Sequence, residues 1–402
     1  MTTPSPRSPS PRSTVDTVVI GGGAMGSSTA WALAQRGTEV LLLERFSPGH
    51  TEGASHGESR NFNVAYSDPT YIAMLAESLS GWRELEAQSG VAIFDQVGVA
   101  NHGANPGYPQ IEAALAASGI AAEMLPPGDA ATRWPGIRFD GPVLYNADAG
   151  RLNANAAVAA LQGAASAHGA VVQHGARATA IDVLGDNRVL VRYSTDAGEH
   201  EVVARHVVST LGAWTATLLG GHLALPRLVV TQEQPAHFPL LDDSFRWPGF
   251  NHTPNPDSAD YDFWYSGVYG MHTPGEGIKA GWHGVGPVTD PDARTYSAEP
   301  TQLAALQRYV REWLPGADAE NPLAISCTYT TTVDENFVLD RAGPLTVGAG
   351  FSGHGFKFTP AIGRILADLS DGSAPAPALF GLGSQRTAGG GPALAMLRSN
   401  SR

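Results

Sequence analysis

Four groups of residues in this 402-residue sequence have types and spacing that point to chemistry. The first is Gly21-x-Gly23-x-x-Gly26, followed 18 residues after Gly26 by Glu44. Gly21 permits a tight turn, Gly23 lets the backbone approach a pyrophosphate, and Gly26 lets a helix pack close to a sheet. Free N–H groups, with Ala24 and Met25 inside the motif, and the positive end of the helix dipole then face the phosphates. Glu44, with Arg45 beside it, stands where a carboxylate accepts from ribose hydroxyls. The pattern predicts dinucleotide binding without separating FAD from NAD. The second group is GFSGHGFKF at 350–358. Gly350, Gly353 and Gly355 free the backbone so that amides near Ser352–Phe356 face an anion or a carbonyl oxygen. Lys357 stands at or near a helix start, where its charge opposes the dipole, so an anionic ligand is the functional reading and a surface lysine the bland one. The third is GIKAGWH at 277–283. In a strand, Lys279, Gly281 and His283 share one face and Ile278, Ala280 and Trp282 the other; a solvated Lys/His face is the alternative. The fourth is Cys327, the only cysteine, which taken alone reads as a small buried hydrophobe.

These groups need elements to hold them. TVVI (17–20) is β-branched and apolar throughout, as a strand buried on both faces requires. It leads through the glycine motif into a helical stretch ending at Gly37, then into the strand TEVLLLER (38–45), one βαβ unit. Residues 70–90, 107–119 and the Ala-rich 153–168 read as helices, and AVVQHG as a strand. Residues 189–210 read as two strands around a polar turn and then a third apolar run. Residues 226–290, aromatic and turn-rich, read as an antiparallel, ligand-facing region. LTVGAG (345–350) and AIGRILADL (361–369) return to strand and helix. Rossmann-like segments at both ends with a mixed region between predict an α/β fold: a discontinuous cofactor domain with a second, α+β domain inserted. Residues 1–14, with four prolines, read as a disordered tail.

Composition excludes several classes. A formal charge of −13, from 38 acids against 25 bases, argues against nucleic-acid partners and a polybasic membrane anchor. One cysteine cannot make an intrachain disulfide. No apolar run nears the roughly 20 residues of a membrane span, and there is no apolar signal-peptide core. A soluble, cytoplasmic monomer or homodimer is expected. The thirteen histidines do not fall at ligand spacing with cysteine or carboxylates, so no metal is expected.

The N-terminal glycine motif, ASHGESR (54–60), GIKAGWH, CTYTTTVDENFVLD (327–340) and GFSGHGFKF together resemble the monomeric sarcosine oxidase and N-methyltryptophan oxidase family, within the D-amino-acid-oxidase-like flavoproteins. The resemblance implies FAD, covalently attached through a cysteine thioether at the position of Cys327. A thiolate is the side chain suited to add to an electron-poor flavin. It implies that Lys279 lies near the flavin and promotes its reaction with oxygen. It puts His283 in the active site and His56, Ser59 and Arg60 near the isoalloxazine. Gly353, His354, Gly355 and Lys357 then belong to the cofactor-binding set. Tyr329, Lys357 and one of Tyr265 or Tyr269 belong to the substrate pocket. The implied domains are 15–90, 146–225 and 323–402 for FAD, and 91–145 and 226–322 for substrate, the latter with a mixed or antiparallel sheet.

One departure stands out. The family holds its substrate carboxylate with a lysine, here Lys357, and an arginine three residues after Arg60, where this sequence has Asn63. A neutral amide replaces a bidentate cation. Trp264, Tyr265, Tyr269 and Trp282 point to a larger, aromatic or cyclic amine, or else form core. The expected reaction is oxidation of a secondary or N-methyl amine to an imine, by demethylation, ring formation or desaturation, with O2 reduced to H2O2. The alternatives are a tailoring oxidase of secondary metabolism and a flavin dehydrogenase using another acceptor.

Overall fold

The computed structural model describes residues 13–384. Two large sheets organise it. In the first, parallel strands run in the order Val171–Gln173, β2 (Val40–Leu43), β1 (Ser13–Ile20), Gly198–Ser209, Leu345–Ala349. The strand expected over 38–45 is thus shorter than its sequence pattern suggested, and every residue of Val40–Leu43 is buried. Helix α1 (Ala24–Gln35), the helix Ala154–Ala167 and the helix Thr359–Asp371 pack together on this sheet, with Trp31, Leu33, Leu161 and Leu366 in one apolar core. The Ala-rich helix starts where Asn153 accepts a hydrogen bond from Ala156 N at 2.9 Å.

Two sequence expectations are corrected. Of the tail expected over 1–14, residues 1–12 lie outside the described residues, but Ser13 and Thr14 belong to β1 because Val202 and Val203 offer them partners. The third apolar run of 189–210 is not a separate strand: it continues the second, and Gly198–Ser209 is unbroken. The first half of that strand pairs antiparallel with Arg188–Thr195, and its second half joins the parallel sheet. The strand Arg177–Gly185, which completes this ribbon, carries little apolar alternation and was not foreseen.

The second sheet has the order Leu323–Ala324, Ala236–Phe238, Gly277–Trp282, Val268–Thr273, Gly249–Thr253, Val99–Gly103, Val143–Asn146, Glu123–Leu125. All its pairings are antiparallel except Gly249–Thr253 with Val99–Gly103, so it is mixed. Phe250, Ile278 and Ala280 turn one face into a core with Leu306, Tyr309 and Trp313 of the helix Pro300–Trp313. Alternation therefore delivers Asn251, Tyr269, Met271 and Lys279 to the other face. A short two-stranded ribbon, Val229–Glu233 with Cys327–Thr331, sets Cys327 opposite Glu233 and Tyr329 opposite Thr231. Among the described residues no helix is long and apolar enough to cross a membrane.

Candidate active site

One cavity of about 520 Å³ reaches from the glycine motif to the polar face of the second sheet. At its first end Gly21 has φ +98°, and a Cβ there would lie 2.6 Å from Thr210 O. A Cβ on Gly26 would lie 1.9 Å from Gly21 O, so Gly26 works by packing and does not face the cavity. Helix α1 begins at Gly23 with no side-chain cap of its own; Ala24 N donates to Ser55 Oγ at 3.0 Å. Glu44 is buried. Its Oε2 accepts from Gly22 N at 2.7 Å and its Oε1 from Phe46 N at 2.9 Å, so it braces the loop and keeps acceptor capacity on both oxygens. Arg45 lines the cavity while paired with Asp292 at 2.6 Å. A helix start opening on a long cavity, with a buried carboxylate at the end of the next strand, fits a dinucleotide.

At the other end Lys279, His283, Tyr269, Tyr329, Cys327 and Lys357 share the wall. Burial, aided by the Arg60 guanidinium, lowers Lys279 to about 7. Burial alone lowers Lys357 to about 7; its Nζ donates to His354 O at 2.8 Å. Burial, with Lys357 contributing, brings His283 to about 4, so the imidazole is neutral near pH 7. Its Nδ1 lies 3.3 Å from Tyr329 Oη. Burial holds the Tyr269 and Tyr329 phenols above their ordinary range. Gly281 makes room for Tyr269: a Cβ there would lie 2.8 Å from the Tyr269 hydroxyl. Arg60 is fixed by three backbone carbonyls, those of Ala54, His56 and Ser59, at 2.5–2.8 Å. Ser59 Oγ meets Thr273 Oγ1 at 2.7 Å.

The model of the FAD dependent oxidoreductase family matches residues 16–369. The chain belongs to the FAD-dependent oxidoreductase family. Among the relatives of this oxidoreductase, the monomeric sarcosine oxidase of Bacillus sp. (strain B-0618) is 31% identical over 378 residues, covering 88% of this chain and 92% of that one. The peroxisomal sarcosine oxidase of Mus musculus is 33% identical over 377 residues, with the same coverage. Among solved structures, NikD, described as an unusual amino acid oxidase essential for nikkomycin biosynthesis, superposes with a TM-score of 0.78 at 27% identity. That match covers 91% of this chain and 96% of the other. The resemblance read from the motifs extends over most of the chain, and the α/β fold with a parallel FAD sheet and a mixed second sheet is that of these flavoenzymes.

Most residues singled out from the sequence of this oxidoreductase meet in the one cavity, including Gly21, Gly23, Ala24, Met25, Asn63, Gly353, His354 and Gly355. Gly26, His56 and Tyr265 do not line it. His56 instead places its ring between Gly53 O at 2.9 Å and Ser326 O at 3.1 Å, tying the 53–60 loop to the neighbour of Cys327. Burial, with the Arg60 charge, lowers it to about 4, so the ring is neutral and donates to one of these two carbonyls only. Of the two tyrosines left open, Tyr269 faces the cavity. Tyr265 packs on Trp282, and Trp264 and Trp282 belong to the second core; the aromatic cluster is structural except for Tyr269. In the 350–358 turn, the Ser352 and His354 amides donate to Thr330 O and Phe351 O, both at 3.0 Å, and do not face a ligand. Sequence reading missed Asn61, Asn251 and the 210–214 segment on the wall; strand alternation in GFNHT is the signal that would have found Asn251. It also missed a histidine group. His102 and His252, in register on neighbouring strands, and Asp140 place ligand atoms within 4.8 Å of one another on the far face of the second sheet. Residues this far apart in sequence show no ligand spacing.

Proposed function

We propose that this protein oxidises a secondary or N-methyl amine to an imine, with FAD tethered through Cys327. In the overall reaction the amine loses one C–H and one N–H hydrogen, and O2 takes both, with two electrons, to become H2O2. FAD, when bound, supplies the two-electron acceptor that links the two halves. The observation that carries this reading is the single cavity joining the dinucleotide loop to Lys279 and Cys327.

Each residue has a physical task in this scheme. Gly21, Gly23 and the start of α1 hold the diphosphate, and Glu44 accepts from ribose. Arg60 and Lys279 make the wall positive, which lowers the pKa of a bound ammonium and favours the neutral amine that oxidation requires. Lys279, protonated below about pH 7, offers a buried cation to negative charge developing on oxygen. His283, neutral and oriented by Tyr329, and Tyr269 position the amine. His56 is a positioning residue for Arg60 and Cys327.

A screen for peroxide over N-methyl amino acids, cyclic imino acids and carboxylate-free amines tests the reading. Amine-dependent H2O2 in molar ratio with imine or aldehyde is expected. Substrate-dependent bleaching of the flavin without peroxide under air would refute the oxidase. A second reading, a tailoring oxidase acting on a secondary-metabolism intermediate, is favoured by the likeness to NikD and by Asn63, and the same screen separates it from simple catabolism.

A further inference from the structure

Cys327 is the first residue of its strand, and that strand pairs with Val229–Glu233 alone. Pairing is a weak anchor at the end of a two-stranded ribbon. Side chains add to it by gripping the residue before. The Ser326 carbonyl lies 3.1 Å from His56 Nε2, and the Ser326 hydroxyl accepts from Arg294 Nη2 at 2.9 Å. Arg294 Nη1 donates to Glu52 O at 2.6 Å. The guanidinium therefore bridges residue 326 and the 52–56 loop, and Ala54 O of that loop lies 4.0 Å from Cys327 Sγ. Gly53, Ala54, Ser55 and Cys327 all line the cavity.

Arg294 is held in its turn. Gln232 Nε2 donates to Thr295 Oγ1 at 3.0 Å, and Gln232 Oε1 accepts from Thr295 N at 3.1 Å. Gln232 stands opposite Thr328, so one ribbon carries both the cysteine and the anchor of Arg294. The guanidinium also rests over the Tyr296 ring, 4.4 Å from its centroid. The placement is costly. Arg294 is 7% exposed, its Nε is buried without a partner, and among the described residues no carboxylate pairs with it. An apolar side chain would fill the space without that cost. The guanidinium supplies something an apolar chain lacks, a planar fork that fixes two acceptors at a set separation.

We propose that Arg294 is a positioning residue for the bond between Cys327 and the flavin, acting through Ser326 and the 52–56 loop to hold the sulfur at the cavity wall. The proposal rests on the tether proposed above. In that step a C–S bond forms between Cys327 Sγ and a methyl carbon of the flavin. The S–H bond and one methyl C–H bond are lost, and O2 takes both hydrogens with two electrons as H2O2. The sulfur must meet one carbon, and a misplacement of about 1 Å costs up to about 10²-fold in rate. Holding the cofactor is the task of other residues, Gly21, Gly23 and Glu44 among them, so flavin binding should outlast the loss of the fork.

The test follows tethering itself. Full-length wild type, Arg294→Gln, Arg294→Lys and Ser326→Ala are purified from riboflavin-limited cells and incubated with excess FAD in air. Acid-stable flavin is read over time by in-gel fluorescence, and total bound flavin by absorbance after desalting. Arg294→Gln should reach the wild-type total and gain acid-stable flavin at least about tenfold more slowly. Arg294→Lys, which keeps the charge and loses the fork, should be as slow. Ser326→Ala keeps the cation and removes one acceptor; it should slow tethering too, and it decides the matter if the Arg294 variants fail to fold. Tethering at the wild-type rate in Arg294→Gln or Ser326→Ala, or full rescue by Arg294→Lys, overturns the proposal. So does a parallel loss of total and acid-stable flavin, which marks a structural role. A wild-type protein that binds FAD and never makes it acid-stable would instead defeat the tether, and this proposal with it.

Discussion

Replacing Lys279 by Met should move stability and oxygen chemistry in opposite directions. Lys279 is 5% exposed, and burial, with Arg60 nearby, lowers its pKa from 10.5 to about 7. The folded state thus binds the lysine proton more weakly than the unfolded chain does. The cost to folding is complete below about pH 7 and fades as pH rises toward 10.5. A depression of that size corresponds to about 5 kcal/mol. Met, of similar length and without charge, removes the cost, so at about pH 6 the variant should melt several degrees higher than wild type, and the gain should shrink by about pH 9. The same change removes the cation proposed to meet developing negative charge on oxygen, a loss of the kind that slows reaction by about 10²–10³-fold. Stopped-flow mixing of the reduced enzyme with O2 measures this. The wild-type rate should itself fall as pH rises through about 7, approaching that of the variant. Unchanged reoxidation in Lys279→Met, or a melting gain that does not shrink with pH, would refute the reasoning.

Other residues give shorter tests. Gly26→Ala should abolish flavin incorporation, read as the absorbance ratio of the purified protein, because its Cβ has no room beside Gly21 O. Glu44→Ala strips the acceptor from Gly22 N and Phe46 N and should reduce flavin incorporation and lower the melting temperature, by about 1–3 kcal/mol of stability. Tyr269→Phe should change kcat/KM for amine, whereas Tyr265→Phe, outside the cavity, should leave it unchanged in steady-state peroxide assays.

The first βαβ unit was legible in the sequence because buried parallel strands, a glycine turn and an acid at a fixed distance all constrain the same short stretch. Lys279 was legible on the polar face of an alternating strand, and that face does meet the cavity. Legibility failed where function depends on pairing between distant segments. Whether Tyr265 or Tyr269 faces the cavity is decided by register with Gly281 and Asn251, which no local pattern encodes. Gly198–Ser209 looked like two runs because its two halves serve different neighbours. His56 matched a motif yet turns toward Ser326, a contact across 270 residues of chain. Asn61, Asn63, Asn101 and Asn251 hydrogen-bond to one another from three strands and the segment after one of them, and of these only Asn63 was singled out in the sequence, the alternation of GFNHT being the signal left for Asn251.

The proposed chemistry depends above all on a flavin fixed to Cys327 within this cavity. Mass spectrometry of the acid-denatured, peptide-mapped protein reads that bond itself. The peptide containing Cys327 should carry the mass of FAD, and Cys327→Ser should release its flavin on denaturation. A yellow wild-type protein whose colour passes wholly into the acid supernatant, leaving the Cys327 peptide unmodified, would contradict it.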